Sequence, residues 1–183
     1  DLENLSKDNL RLKKENDKDL IVAEKANYAK ALVDRLRLSD KTIKGMADCL
    51  LDTAKLKDPV GEILATYKRP NGLVIKKVRV PIGVVGIIYE SRPNVTSDCI
   101  GLTLKSGNAV ILKGGKEALH SNQAIFNVLR RALKNTKVPM DAIQLISSTD
   151  REAVNILLTQ DKYVDLIVPR GGEGLIRFVA EHS

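Results

Sequence analysis

Four short runs, at 83–88, 109–112, 143–146 and 164–168, apolar but for Gln144 and Asp165, limit what this chain can fold into more than any other feature. None is long enough for a buried helix, and none alternates as a strand with one wet face would. Each therefore reads as a strand covered on both sides. Helical patterns fill the intervals, at 95–106, 121–134, 150–159 and 173–180. Strands alternating with helices predict an α/β fold, a Rossmann-like parallel sheet with helices on both faces, over residues 81–183. The 183 residues suffice for one such unit with a real core.

Upstream, residues 1–60 read as an N-terminal helical region. Leu2, Leu5, Leu10, Leu12 and Leu20 give the first twenty residues a weak apolar face among charges, and 21–35 is rich in alanine. The clearest amphipathic helix lies at 40–56. There Ile43, Met46, Ala47, Leu50, Leu51 and Ala54 recur at helical spacing behind a Ser39-Asp40 start signal, and Asp58-Pro59 ends it. Asn71-Gly72 is a tight-turn pair, so 61–80 reads as a hairpin or extended segment with lysines on an open face.

The formal charge is +7, and residues 61–116 hold nine basic against three acidic side chains. A local basic field attracts phosphates, carboxylates or nucleic acid. Aromatic residues make up 3% with no Trp, which argues against a base-stacking nucleic-acid platform. No apolar run approaches the roughly 20 residues that cross a bilayer, and the charged N-terminus offers no apolar signal core. Cys49 and Cys99 make neither a disulfide framework nor a metal site, and His120 and His182 have no ligand partners at metal spacing. The expectation is a reduced, cytoplasmic setting without metal, membrane or nucleic acid.

Open α/β sheets bind ligands outside the carboxyl ends of their strands. Three crossings there carry polar or glycine-rich sequence: Glu90-Ser91-Arg92-Pro93-Asn94, Lys113-Gly114-Gly115-Lys116 leading to Ser121, and Arg170-Gly171-Gly172. Glycine lets backbone N–H groups approach an anion, and the helix that follows adds partial positive charge, so the two diglycine corners suit a phosphate cradle. Neither matches the Gly-x-Gly-x-x-Gly or P-loop patterns, and each corner also suits an ordinary turn. Lys113 and Lys116 suit ribose or phosphate, or plain solvation. Arg92 suits a bidentate anion contact, or an ion pair with Glu90.

The run 83–95, with its Tyr-Glu-Ser-Arg-Pro-Asn segment, followed by Leu104-Lys105-Ser106-Gly107-Asn108 and Lys113-Gly114-Gly115, closely resembles the gamma-glutamyl phosphate reductase family of the aldehyde dehydrogenase superfamily. The likeness continues through Glu117–Asn122, Thr149-Asp150-Arg151 and the 164–172 segment. It implies NADPH-dependent reduction of L-glutamyl 5-phosphate to L-glutamate 5-semialdehyde with release of phosphate, a step of proline biosynthesis. It also implies Lys113 at the adenosine ribose, Lys116 and Ser121 near a 2′-phosphate, Gly114, Gly115, Arg170, Gly171 and Gly172 around the cofactor, and Glu90, Ser91, Arg92 and Asn94 at the substrate edge. The family's nucleophilic cysteine, in a Pro-Gly-x-Cys-Asn segment, has no counterpart here, so no catalytic residue is assigned and the catalytic domain is expected outside this chain. A homo-oligomer, and association with glutamate 5-kinase, are further implications. The corresponding domain of a bifunctional pyrroline-5-carboxylate synthase and a non-catalytic nucleotide-binding module stand as alternatives.

Overall fold

The computed structural model describes residues 2–182, without the side chains of residues 2–6, so the expected apolar contributions of Leu2 and Leu5 lie outside what is described. Three helices come first: α1 (Leu2–Lys25), α2 (Lys30–Leu36) and α3 (Asp40–Lys55). A hairpin follows, β1 (Ile63–Lys68) and β2 (Val74–Val78). The remainder alternates β3 (Val84–Tyr89), α4 (Asn94–Lys105), β4 (Ala109–Gly114), α5 (Leu119–Leu133), β5 (Ile143–Leu145), α6 (Glu152–Leu158), β6 (Leu166–Arg170) and α7 (Glu173–His182).

The four apolar runs form one sheet in the order β5-β4-β3-β6, with every pair parallel. The central strand β3 is buried along nearly its whole length. Its side chains alternate between faces, as the two-residue pleat requires. Val85, Ile87 and Tyr89 pack with Val95, Ile100 and Phe126 of α4 and α5, while Ile88 packs with Leu157, Leu158 and Val179 of α6 and α7. The register is pinned at the strand starts. Asn108 Oδ1 accepts the Gly83 N–H at 2.9 Å, and Asp165 Oδ2 accepts that of Val84 at 2.8 Å.

The start signal before α3 works as expected, since the Ser39 hydroxyl accepts the Thr42 N–H at 3.1 Å. The alanine-rich stretch does not form one helix. Asn27 takes a left-handed φ of 51° and breaks it into the end of α1 and the whole of α2. α1 lies on α5 with Leu12, Leu20 and Ala23 as its only buried apolar side chains among the described residues. Two buried leucines contribute roughly 4 kcal/mol together, which holds the helix down but sets its rotation loosely. Buried polar groups fix the rotation. Asn16 donates to Leu36 O (2.7 Å) and Ser121 Oγ (3.0 Å) and accepts from Leu38 N (2.8 Å). Asp19 accepts from His120 N (3.1 Å), Ser121 N (2.8 Å) and Ser121 Oγ (2.6 Å), capping α5 from another helix. Asp19→Ala orphans two buried donors of Ser121 and a half-buried one of His120, so urea unfolding is expected to show a loss of about 2–4 kcal/mol. Asp17→Ala, on the exposed side of the same helix, is expected to change stability by less than about 0.5 kcal/mol.

Candidate functional site

Tyr89 pairs in register with Gly114 on one side and Arg170 on the other, so β3, β4 and β6 end at one rim of the sheet. The loops that leave these strands are the three crossings singled out above. A cleft of about 480 Å³ opens at this rim, in the range of small-molecule sites. Glu90, Ser91, Lys113, Gly114, Gly115 and Lys116 line it, together with Thr149, Asp150 and Arg151 from the β5–α6 loop. Tyr28 and Leu32 close one side, delivered by the break at Asn27.

Two carboxylates tie the strand-end loops together. Glu90 Oε2 accepts the Gly172 N–H at 3.0 Å, so the second diglycine corner already donates to an anionic oxygen. A Cβ at Gly171 would fall on that carboxylate. Glu117 Oε1 accepts both the Ser91 N–H (2.7 Å) and the Ser91 hydroxyl (3.2 Å), and a Cβ at Gly115 would fall on Glu117. The bare corners at Gly115 and Gly171 thus give an acid room to approach closely, and a side chain at either position would push that carboxylate aside.

Lys113 is only 6% exposed, and its ammonium donates to Gly114 O at 3.0 Å. Burial lowers its pKa below the ordinary lysine value, while the nearby Glu117 charge works in the opposite direction. Lys116 is exposed at the cleft. Lys113, Lys116 and Arg151 face Glu90, Glu117 and Asp150 there, so the cleft is balanced in charge. The basic excess seen in the sequence is divided in space. Lys68, Arg69, Lys76, Lys77 and Arg79 belong to the hairpin and its turns, which join the sheet at the opposite rim, where β3 begins.

The other candidates fall outside the cleft lining. Ser121 is fully buried and its hydroxyl is engaged by Asp19 and Asn16, which removes it from the open surface. Asn94 opens α4 and donates to Asp98 at 3.2 Å. Arg92 and Arg170 are exposed, and the ion pair between Arg92 and Glu90 does not form, because Glu90 turns to the Gly172 corner. Gly171 and Gly172 meet the cleft through Glu90. Neither thiol is poised for attack at neutral pH. The Asp98 carboxylate beside Cys49 holds its pKa up, and burial pushes Cys99 to about 11. Among the described residues no group of three or more His, Cys, Asp or Glu could hold a metal ion, and no helix is long and apolar enough to cross a membrane.

Sequence reasoning missed Tyr28 and Leu32, which carry no motif, and it missed Glu117 as a partner of Ser91. A Gly-Gly-x-Glu spacing, which sets an acid beside a bare corner, was the available signal for Glu117.

The chain is 56% identical over 172 residues to the gamma-glutamyl phosphate reductase of Persephonella marina, covering 94% of this chain and 39% of that protein. It is 59% identical over 169 residues to the enzyme of the same name from Nautilia profundicola, covering 92% and 41%. The crystal structure of gamma-glutamyl phosphate reductase from Thermotoga maritima superposes with a TM-score of 0.95 at 44% identity, over 99% of this chain and 44% of that one. The chain thus spans about two fifths of the length of the curated relatives it matches. The aldehyde dehydrogenase family profile matches residues 9–183, so the chain belongs to the aldehyde dehydrogenase family.

Proposed function

We propose that this chain forms the NADPH-binding part of an enzyme that reduces L-glutamyl 5-phosphate to L-glutamate 5-semialdehyde and releases phosphate, in proline biosynthesis. The close likeness to gamma-glutamyl phosphate reductases, in sequence and fold alike, carries this reading. Residues 81–183 form the nucleotide-binding unit, with the helices of 1–60 behind it and the 61–80 hairpin beside it.

Aldehyde dehydrogenases use a nicotinamide dinucleotide, and when bound it supplies the hydride. The rim fits such a group: bare corners, backbone N–H groups, and two lysines beside a cleft of adequate volume. Lys113, held against Gly114 O, is placed to meet ribose hydroxyls. Lys116, exposed and cationic, is the group to discriminate for a 2′-phosphate. Gly114 and Gly115 let the first corner come close, and Arg170 and Gly171 supply charge and an N–H group for the pyrophosphate, joined by the Gly172 N–H once the Glu90 carboxylate that now holds it turns away. Glu90, Ser91, Arg92 and Asn94 border the acyl phosphate side. Neither Cys49 nor Cys99 lines the cleft, so the thiolate that would attack the acyl carbon comes from another part of the enzyme.

The hairpin exposes Ile63, Tyr67, Val74, Ile75 and Val78. A two-stranded ribbon is marginal alone in water, so this surface calls for a further contact, and the homo-oligomer that the family resemblance implies is proposed to form there.

NADPH is expected to bind the chain more tightly than NADH in a fluorescence titration. Lys116→Ala is expected to remove most of that preference, and Lys113→Ala to weaken both nucleotides about tenfold. Equal affinities for the two nucleotides, or intact binding in both variants, contradict the assignment.

With L-glutamyl 5-phosphate and NADPH, the 183-residue chain alone is expected to show no turnover, whereas a polypeptide that joins it to a cysteine-bearing catalytic domain of this family oxidises NADPH and releases phosphate. Coupled phosphate release by the chain alone, or none by the joined polypeptide, counts against the proposed reaction.

A further inference from the structure

We infer that Glu117 is a positioning residue: its carboxylate holds Ser91 in a left-handed backbone conformation and thereby fixes the β3–α4 loop against the Lys113–Lys116 corner. The inference rests on reading the cleft as a nicotinamide dinucleotide site, and it adds a residue with no assigned part in that site. Ser91 has a φ of 57°, one of two positive values among the described non-glycine residues. A residue with a Cβ is strained in this region, and such strain persists only where surrounding contacts impose it. The imposing contacts are both to one atom: Glu117 Oε1 takes the Ser91 N–H at 2.7 Å and the Ser91 hydroxyl at 3.2 Å.

Glu117 is placed to do this by its own surroundings. It sits in a 3-10 turn, Lys116–Ala118, whose Ala118 is buried against α1 and α2, so its backbone is anchored. The bare Gly115 leaves room for the carboxylate to fold back across the corner. Its charge is felt by Lys113, and both side chains line the cleft with Ser91. One acid thus connects the corner proposed to meet the nucleotide with the loop proposed to border the substrate. Removing it frees Ser91 to return to an ordinary conformation, which moves the loop that forms one wall of the cleft.

Two readouts on the full 183-residue chain test this: NADPH affinity by nucleotide fluorescence, and hydrogen exchange at the Ser91 amide without nucleotide. Glu117→Ala is expected to speed exchange at Ser91 and to weaken NADPH about tenfold. Glu117→Gln keeps an acceptor and is expected to preserve both. Glycine accepts a φ of +57° without strain, so adding Ser91→Gly to Glu117→Ala is expected to restore most of the affinity. Should Glu117→Ala not fold, Glu117→Asp, too short to reach Ser91, serves in the same comparison. Unchanged Ser91 protection in the Ala or Asp variant overturns the inference. So does a double variant as weak as Glu117→Ala, because the acid would then act by touching the ligand. If the parent chain does not bind NADPH, the dinucleotide reading fails, and the exchange result alone still decides what Glu117 does to Ser91.

Discussion

Burial of β3 between two parallel neighbours is the constraint on which the rest depends. Because its pleat sends Val85, Ile87 and Tyr89 to one helical layer and Ile88 to the other, a one-residue slip would exchange both sets. The register is therefore stiff, and the stiffness extends to the strand ends. Tyr89, Gly114 and Arg170 finish level with one another, so the loops after β3 and β4 open onto one cleft and the corner after β6 reaches it through Glu90. Core packing thus sets where the loops begin, and contacts at the rim set how they continue.

Three acids then complete what the sheet begins. Asp19 satisfies the first N–H groups of α5, Glu90 that of Gly172, and Glu117 that of Ser91. Each puts a carboxylate on a backbone donor that would otherwise seek an anion or water. Asp19 is buried and closes the start of α5 to any ligand. Glu90 and Glu117 stand at the open cleft, where they shape the corners and balance the lysines. A cleft so balanced selects by placement of individual groups more than by bulk field, which suits a ligand carrying several separate anionic and hydroxyl groups.

The parallel sheet was legible in the sequence because buried strands leave short apolar runs, clearest at β3 and β4, and α3 because Ser39 and a regular stripe mark it. The edge strand β6, expected to be covered on both sides, instead exposes Leu166 and Val168. The glycine corners were legible as turns at strand ends. The break at Asn27 was not, since alanine-rich sequence favours helix on both sides of it and only a left-handed residue ends it. The engagement of Ser121 is invisible in the sequence because its partner, Asp19, is 102 positions earlier and on a helix whose apolar pattern is weak. The pairing of Ser91 with Glu117 spans 26 positions and two loops, beyond any local pattern. The basic middle third was real as composition, but folding sends five of its nine cations to the hairpin.

That the strand-end rim is the dinucleotide site is tested most directly by following the backbone amide shifts of the isotope-labelled chain as NADPH is added. The amides of Ser91, Lys113–Glu117, Gly171 and Gly172 should move together and saturate at one concentration, while those of the 61–80 hairpin stay in place. Saturable shifts confined to the hairpin's basic residues, with the two diglycine corners unmoved, would contradict it.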